Sequence, residues 1–348
     1  MPGDIIVCVA AIILPVFFAA GLVRFADAEI TVRPLRLLFG NLLVLGLLLS
    51  GIFLLGETYY RFIYDQPDPY GVTRAGNRWF VRHFRSNMLG FRDNIEYDFA
   101  FSPGRKRVSF LGDSFTAGHG IKDPEDRLAN LVRKWTGWEV HIISQCGWDT
   151  AHEISAVQKL IGMGYQFDTV ALMYCLNDVA ALMPEHKKAG QWIFSILDTE
   201  GFLVRHSYFV NTLYYRLRLQ RYPELADYYG YVRRGYESNV WEKQEQQLTF
   251  LRDLLASRNA KLVVLVYPFF HLLGSDYPYA GAHAKISEWC RLSGVPCLDL
   301  LDVYGKHHPR ELMLNSFDAH PNEKANALSV KPVVRFIETA YPQRFPVK

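Results

Sequence analysis

Five short runs of Val, Ile and Leu, at 107–111, 140–143, 169–174, 261–267 and 295–301, constrain the fold most. Each is almost continuously apolar, as strands read when both faces of a parallel sheet are covered. Amphipathic, helix-compatible stretches lie between and after them, at 127–135, 150–161, 241–257, 282–292 and 323–340. The alternation predicts a three-layer α/β/α sandwich with a central, mainly parallel five-stranded sheet. Ligand sites of such folds gather at the C-terminal edge of the strands.

The residues at those edges carry the chemistry. Behind the first run stands Gly112-Asp113-Ser114-Phe115-Thr116-Ala117-Gly118, which places one serine where a strand must turn sharply into a helix. The N–H groups of a helix's first turn point at whatever that hydroxyl attacks. A serine needs an imidazole to take its proton, and the imidazole needs a carboxylate to fix its tautomer. Phe317-Asp318-Ala319-His320-Pro321-Asn322 supplies both, two residues apart, just before the last helical stretch. Gln145-Cys146-Gly147 and Cys175-Leu176-Asn177-Asp178 end the second and third runs. A glycine lets a backbone N–H approach a substrate oxygen, and a carboxamide can donate to an oxyanion.

Taken in order over residues 106–340, these four blocks resemble the SGNH hydrolase superfamily, the GDSL-type esterases and lipases, in its membrane-tethered form. The resemblance implies a flavodoxin-like SGNH fold. It also implies a catalytic triad of Ser114, Asp318 and His320, with an oxyanion hole from Ser114, Gly147 and Asn177. Two positions depart from the family's usual pattern: Cys175 stands where a glycine precedes the Asn-Asp pair, and Phe317 makes the last block Asp-x-His rather than Asp-x-x-His. The segment 86–93, Ser-Asn-Met-Leu-Gly-Phe-Arg-Asp, is also similar to the membrane-tethered branch.

Ahead of the predicted sandwich, residues 5–23 and 35–55 are nearly free of charge, each long enough to span a hydrocarbon core of about 30 Å. They predict a transmembrane hairpin over 1–57, followed by a membrane-proximal linker over 58–105. A secretory signal peptide competes for the first run, because Ala26-Asp27-Ala28 is an A-x-A-like site. Against it, the N-terminal flank holds Asp4 and no Lys or Arg. Arg24, Arg33 and Arg36 sit in and around the connecting loop, so the loop is expected on the cytoplasmic side and the catalytic domain, 106–348, outside it (in the periplasm, if the source is bacterial). An insertion at about 180–240, dense in Tyr and Arg, reads either as a lid or as a helical cap that uses Tyr for packing.

The net charge of +3 gives no argument for nucleic acid as a partner. His152-Glu153 lacks the second His of a zinc helix, and no Lys follows Gly118, so neither a metal nor a P-loop is expected, and no cofactor is implied. His119 is expected one turn into the helix after Ser114, at most lining the pocket. The four cysteines outside the first span read as small buried residues first and as disulfides second. Three functions are compatible with the blocks. The first is a membrane-anchored serine ester hydrolase acting through an acyl-serine on an acylated lipid or polysaccharide. The second is an O-acetyltransferase of an envelope polysaccharide using the same site, and the third is a non-catalytic envelope scaffold or binding subunit.

Overall fold

The structure, a computed structural model, describes residues 2–29, 32–197, 200–274 and 276–341. The chain divides into two compact units, one formed by residues 1–80 and 191–226, the other by 81–190 and 227–348.

The second unit is built on a five-stranded, wholly parallel sheet. Its strands are β1 (Arg107–Gly112), β2 (Glu139–Ser144), β3 (Thr169–Cys175), β4 (Lys261–Tyr267) and β5 (Cys297–Asp299), in the order β2-β1-β3-β4-β5. All residues of β1 and β3 are buried, which is why both runs lack a polar alternation. Arg107 opens β1 despite being fully buried, because its guanidinium donates to the Phe99 and Gln166 carbonyls at 3.0 and 2.9 Å and to Glu139 at 2.6 Å.

Right-handed crossovers place the β1–β2 connection on one face and the later connections on the other. Helix Leu128–Thr136 accordingly packs with the C-terminal helix Glu323–Ala340, while Thr150–Gly162 packs with Val240–Ala256. The three predicted layers are therefore present. The chain leaves β1 for β2 in one direction and then returns past it to β3, so a topological switch point lies beside β1, where open α/β sheets bind ligands. A short antiparallel pair, β6 (Met313–Asn315) and β7 (Asp318–Pro321), precedes the last helix.

In the first unit, the helices Pro2–Ala26 and Arg33–Thr58 have mean hydropathies over their most apolar windows of 2.9 and 2.4, and only 11% and 6% of those windows are buried. Ile5, Phe17, Leu48 and Leu55 are all largely exposed. The start of the first helix and the end of the second both meet the segment beyond residue 200. Asp4 accepts from His206 at 2.9 Å and from Arg74 at 2.8 Å. Glu57, buried, accepts from the Ser207 hydroxyl at 2.6 Å and from the Tyr208 and Phe209 N–H groups at 3.2 and 3.1 Å. It thereby caps helix Tyr208–Leu219 from a distant part of the chain.

Candidate active site

Gly112 of β1 lies level with Ser144 of β2 and Met173 of β3. Ser114, Cys146 and Cys175 stand two residues beyond that level on three adjacent strands, with Gly147 and Asn177 just past the latter two. Parallel register alone thus gathers three of the four blocks at one sheet edge.

At the end of β1 the Asp113 carboxylate accepts from the Phe115 N–H at 2.9 Å and caps a single helical turn, Ser114–Ala117. Gly118 ends that turn at φ +71°, and a Cβ there would fall 2.4 Å from Cδ of Arg127. Only glycine fits on both counts. Gly147, at φ +81°, is exposed, with open space where a Cβ would be. Asn177 follows β3, and its amide donates to Asp113 Oδ2 at 3.3 Å. Cys175, where the family's glycine stands, is completely buried as the last residue of β3.

The second half of the site arrives on β7. Asn322 pins it by donating to the Glu311 and Met313 carbonyls at 2.9 and 3.1 Å while capping the C-terminal helix through Ala325 N–H at 3.0 Å. Phe317 is 61% exposed and Asp318 only 2%, so 318 is the acid that faces inward. Its Oδ1 lies 2.5 Å from His320 Nδ1, and His320 Nε2 lies 2.8 Å from Ser114 Oγ. Ser114 and the Asp318–His320 pair, 206 positions from serine to histidine, form one hydrogen-bonded series.

The electrostatics suit that series. Burial alone would raise the Asp318 pKa, but the neighbouring His320 charge and hydrogen bonds from His119 and His320 outweigh it and hold the carboxyl well below the usual range. For His320 burial acts downward, and Asp318, by charge and hydrogen bond, together with Asp113, carries the ring above its ordinary value. Burial raises Asp113, against the bond it accepts from Phe115. Burial also pushes Asp178 and Glu153 far up, each further raised by the other acids around it.

Two contributors are not visible in the motifs. His119 does not ride on the helix after Ser114, because that helix ends at Ala117. Beyond Gly118 the chain turns back, and His119 Nε2 comes within 3.1 Å of Asp318 Oδ2, its ring stacked on His320 at 4.2 Å. The left-handed glycine one residue earlier was the available signal. Arg92 is the other: fully buried, it donates to the carbonyls of Gly118 and Ile121, each at 2.5 Å, and to Ala117 at 3.2 Å. It bolts down the loop behind Ser114, with burial and the nearby Arg127 lowering its pKa to about 9.

His119, Asp318 and His320 also form a set of potential metal ligands, their donor atoms within 4.8 Å of one another. Those atoms are already engaged in hydrogen bonds with each other and with Ser114. All five cysteines are free thiols.

Residues 110–328 match the GDSL-like Lipase/Acylhydrolase family, a span that includes all five predicted site residues. Solved structures similar to this chain include three esterases or lipases. The psychrotrophic esterase EstA of Pseudoalteromonas sp. is 15% identical with TM-score 0.40, the match covering 67% of this chain and 97% of that one. The lipase/acylhydrolase of Enterococcus faecalis is 14% identical with TM-score 0.40, covering 69% and 100%. The acetylxylan esterase Axe2 of Geobacillus stearothermophilus is 12% identical with TM-score 0.40, covering 67% and 94%. No curated protein matches the chain by sequence. With most of its length matched, and the parallel sheet in place, the chain belongs to the GDSL-like lipase/acylhydrolase family and is an ester-hydrolysing enzyme.

Proposed function

We propose that this protein is a membrane-anchored serine hydrolase that cleaves an acylated lipid or carbohydrate through an acyl-serine intermediate. Ser114 Oγ attacks the ester carbonyl while His320 Nε2 takes its proton. Asp318 holds the Nδ1–H of His320 and stabilises the imidazolium. The tetrahedral oxyanion is met by the N–H of Ser114, the N–H of Gly147 and the amide of Asn177. Collapse expels the alkoxide, which leaves with the proton from His320. Water then attacks the acyl-serine by the same route in reverse, releasing the acid and restoring the serine. The observation that carries this reading is the unbroken series Ser114–His320–Asp318 at 2.8 and 2.5 Å.

Anchoring is supported by the two bare apolar helices, whose exposed Leu, Ile and Phe surface is disfavoured in water by about 25 cal/mol per Å². Asp4 and Glu57, at the start of one helix and the end of the other, both meet the 202–219 segment, as expected if both ends leave the bilayer on the same side. With Arg24, Arg33 and Arg36 in and around the intervening loop, that side is extracytoplasmic.

The test is hydrolysis of short and long p-nitrophenyl esters by the full-length protein and by Ser114→Ala, together with fluorophosphonate labelling. The wild type is expected to turn over and to be labelled at Ser114, and the variant to do neither. Equal activity in both refutes the assignment, and so does a wild type that is not labelled at Ser114. Transfer of the acyl group to a sugar hydroxyl uses the same intermediate. Acetylated acceptor in place of free acetate would identify it.

A further inference from the structure

Beyond the triad, the site contains a second histidine and a thiol whose atoms continue the same series. His119 Nε2 lies 3.1 Å from Asp318 Oδ2, the oxygen that His320 does not use. His119 Nδ1 lies 3.8 Å from Cys146 Sγ, within sulfur hydrogen-bond range. His119 is 3% exposed, so neither ring nitrogen has water as a ready substitute.

With His119 neutral, donor and acceptor bookkeeping gives each link one direction. Asp318, ionised, can only accept, so His119 must carry its proton on Nε2. In the neutral ring Nδ1 is then an acceptor, and the Cys146 thiol is a donor within its reach. Burial, with the nearby Asp113 charge, holds the Cys146 thiol up at about 12, so it keeps its S–H at neutral pH. The series therefore runs Cys146 S–H to His119 Nδ1, His119 Nε2–H to Asp318 Oδ2, His320 Nδ1–H to Asp318 Oδ1, and Ser114 O–H to His320 Nε2.

We propose that His119, oriented by Cys146, is a positioning residue of the hydrolytic site. It occupies the second oxygen of Asp318 and so fixes both the rotation of that carboxylate and the face of His320 on which it stacks. The proposal rests on the triad reading above. A triad acid bound on one oxygen only can rotate about its Cα–Cβ and Cβ–Cγ bonds; bound on both, it presents one fixed lone pair to His320 Nδ1. The 4.2 Å stacking of the two imidazoles, with Phe115 on His320 at 5.3 Å, confines the base ring from two sides. The ionisable groups facing this network are Asp113, Asp318, Cys146 and Arg92; Arg92 acts through the Gly118 carbonyl on the strap that carries His119.

The test compares full-length wild type, His119→Phe, His119→Gln, Cys146→Ala and Ser114→Ala on p-nitrophenyl acetate across pH. Phe keeps a flat ring against His320 and removes both nitrogens, whereas Gln keeps an N–H donor for Asp318. For His119→Phe the expected result is a fall in kcat of about 10–100-fold with KM little changed, the scale of a misplaced catalytic group. Its acid limb is expected to move upward by about half a pH unit, because an Asp318 relieved of one donor holds the His320 cation more tightly. His119→Gln is expected to recover most of both effects, and Cys146→Ala to show a smaller loss. Ring ¹⁵N spectra of His119 in the wild type are expected to show the Nε2–H tautomer. A His119→Phe enzyme with unchanged kcat and unchanged acid limb overturns the proposal, and so does an Nδ1–H tautomer in the wild type. Should His119→Phe not fold, His119→Gln and the tautomer decide. Ser114→Ala separates the levels: activity surviving there refutes the triad reading itself, whereas a dead Ser114→Ala beside an unaltered His119→Phe refutes only the positioning role.

Discussion

Replacing Asn177 by Ala separates transition-state stabilisation from structural support at one position. The amide sits just beyond β3 and spends one N–H on Asp113 Oδ2 at 3.3 Å, leaving its second hydrogen for a substrate oxyanion. The bond to Asp113 is long, and Asp113 keeps its stronger contact with the Phe115 N–H at 2.9 Å. Its loss should therefore cost only about 0.5–1.5 kcal/mol of stability. Removing an oxyanion donor costs about 2.7–4 kcal/mol of barrier, or about 100–1,000-fold in turnover. The two effects differ enough to be measured apart. A denaturant melt should show a folded protein with a slightly lower midpoint, while kcat for p-nitrophenyl acetate collapses and KM barely moves, as for an interaction made only in the transition state. Asn177→Asp should be worse, because it sets a carboxylate against both Asp113 and the developing oxyanion. An Asn177→Ala enzyme within about threefold of wild-type kcat, or one impaired in KM alone, would remove Asn177 from the oxyanion pocket.

Four further outcomes follow from the same structure. Because Asp318 holds His320 above its ordinary 6.5, and the base works only when neutral, kcat/KM should rise through an acid limb above pH 6.5; a limb at or below 6.5 contradicts this. The same raised pKa means the stability His320 contributes is full below pH 6.5 and is lost as pH rises through its folded-state value, which melts of wild type and His320→Ala across pH would read. Arg92→Leu should remove the Arg92 donor from the Gly118 and Ile121 carbonyls, giving faster hydrogen exchange at 118–122 and a loss of activity larger than its loss of stability. Leu265→Ala, at a fully buried position in β4 between Met173 and Leu298, should cost about 2–5 kcal/mol in a denaturant melt with kcat unchanged in the folded fraction.

The sheet was legible because strands buried on both faces leave almost no choice of residue; β1, β3 and β4 fall on the predicted runs to within a residue or two. The predicted run 295–301 shrinks to Cys297–Asp299, since an edge strand needs fewer paired residues and Leu300 turns into a short helix. Ser114, Gly147 and Asn177 could be placed at one edge because parallel register converts sequence position after a strand directly into height above the sheet. His119 could not. Its contact with Asp318 depends on the helix after Ser114 stopping at one turn, and helix length is set by Gly118 against Arg127 rather than by any periodicity. Arg92 was hidden for a related reason: its acceptors are backbone carbonyls, which carry no residue identity. The pairing of Asp4 with His206 and of Glu57 with Ser207 joins residues about 150–200 positions apart, with no pattern on either side to announce it.

The acids beneath the site make sense only when taken together. Asp178 and Glu153 are both buried, and ionised they would add to the negative charge of Asp113 near the strand edge. Burial pushes both carboxyls well above the ordinary range, Glu153 further through the Asp113 and Asp149 charges and Asp178 further through those of Glu153 and Asp113, which favours the neutral acid at each. Among the described residues neither oxygen of Glu153 has a hydrogen-bond partner, which fits a neutral acid better than a buried anion. Asp318 is the opposite case: two histidines keep it ionised, on the far side of His320 from the serine. Negative charge is thus favoured at Asp318, where it would stabilise an imidazolium at His320, and disfavoured at Asp178 and Glu153. A polar Glu153→Gln exchange should accordingly leave turnover intact. It should also flatten the fall in stability that wild type shows as pH rises above 4.5 toward the folded pKa of Glu153, because the cost of ionising a buried acid is gone.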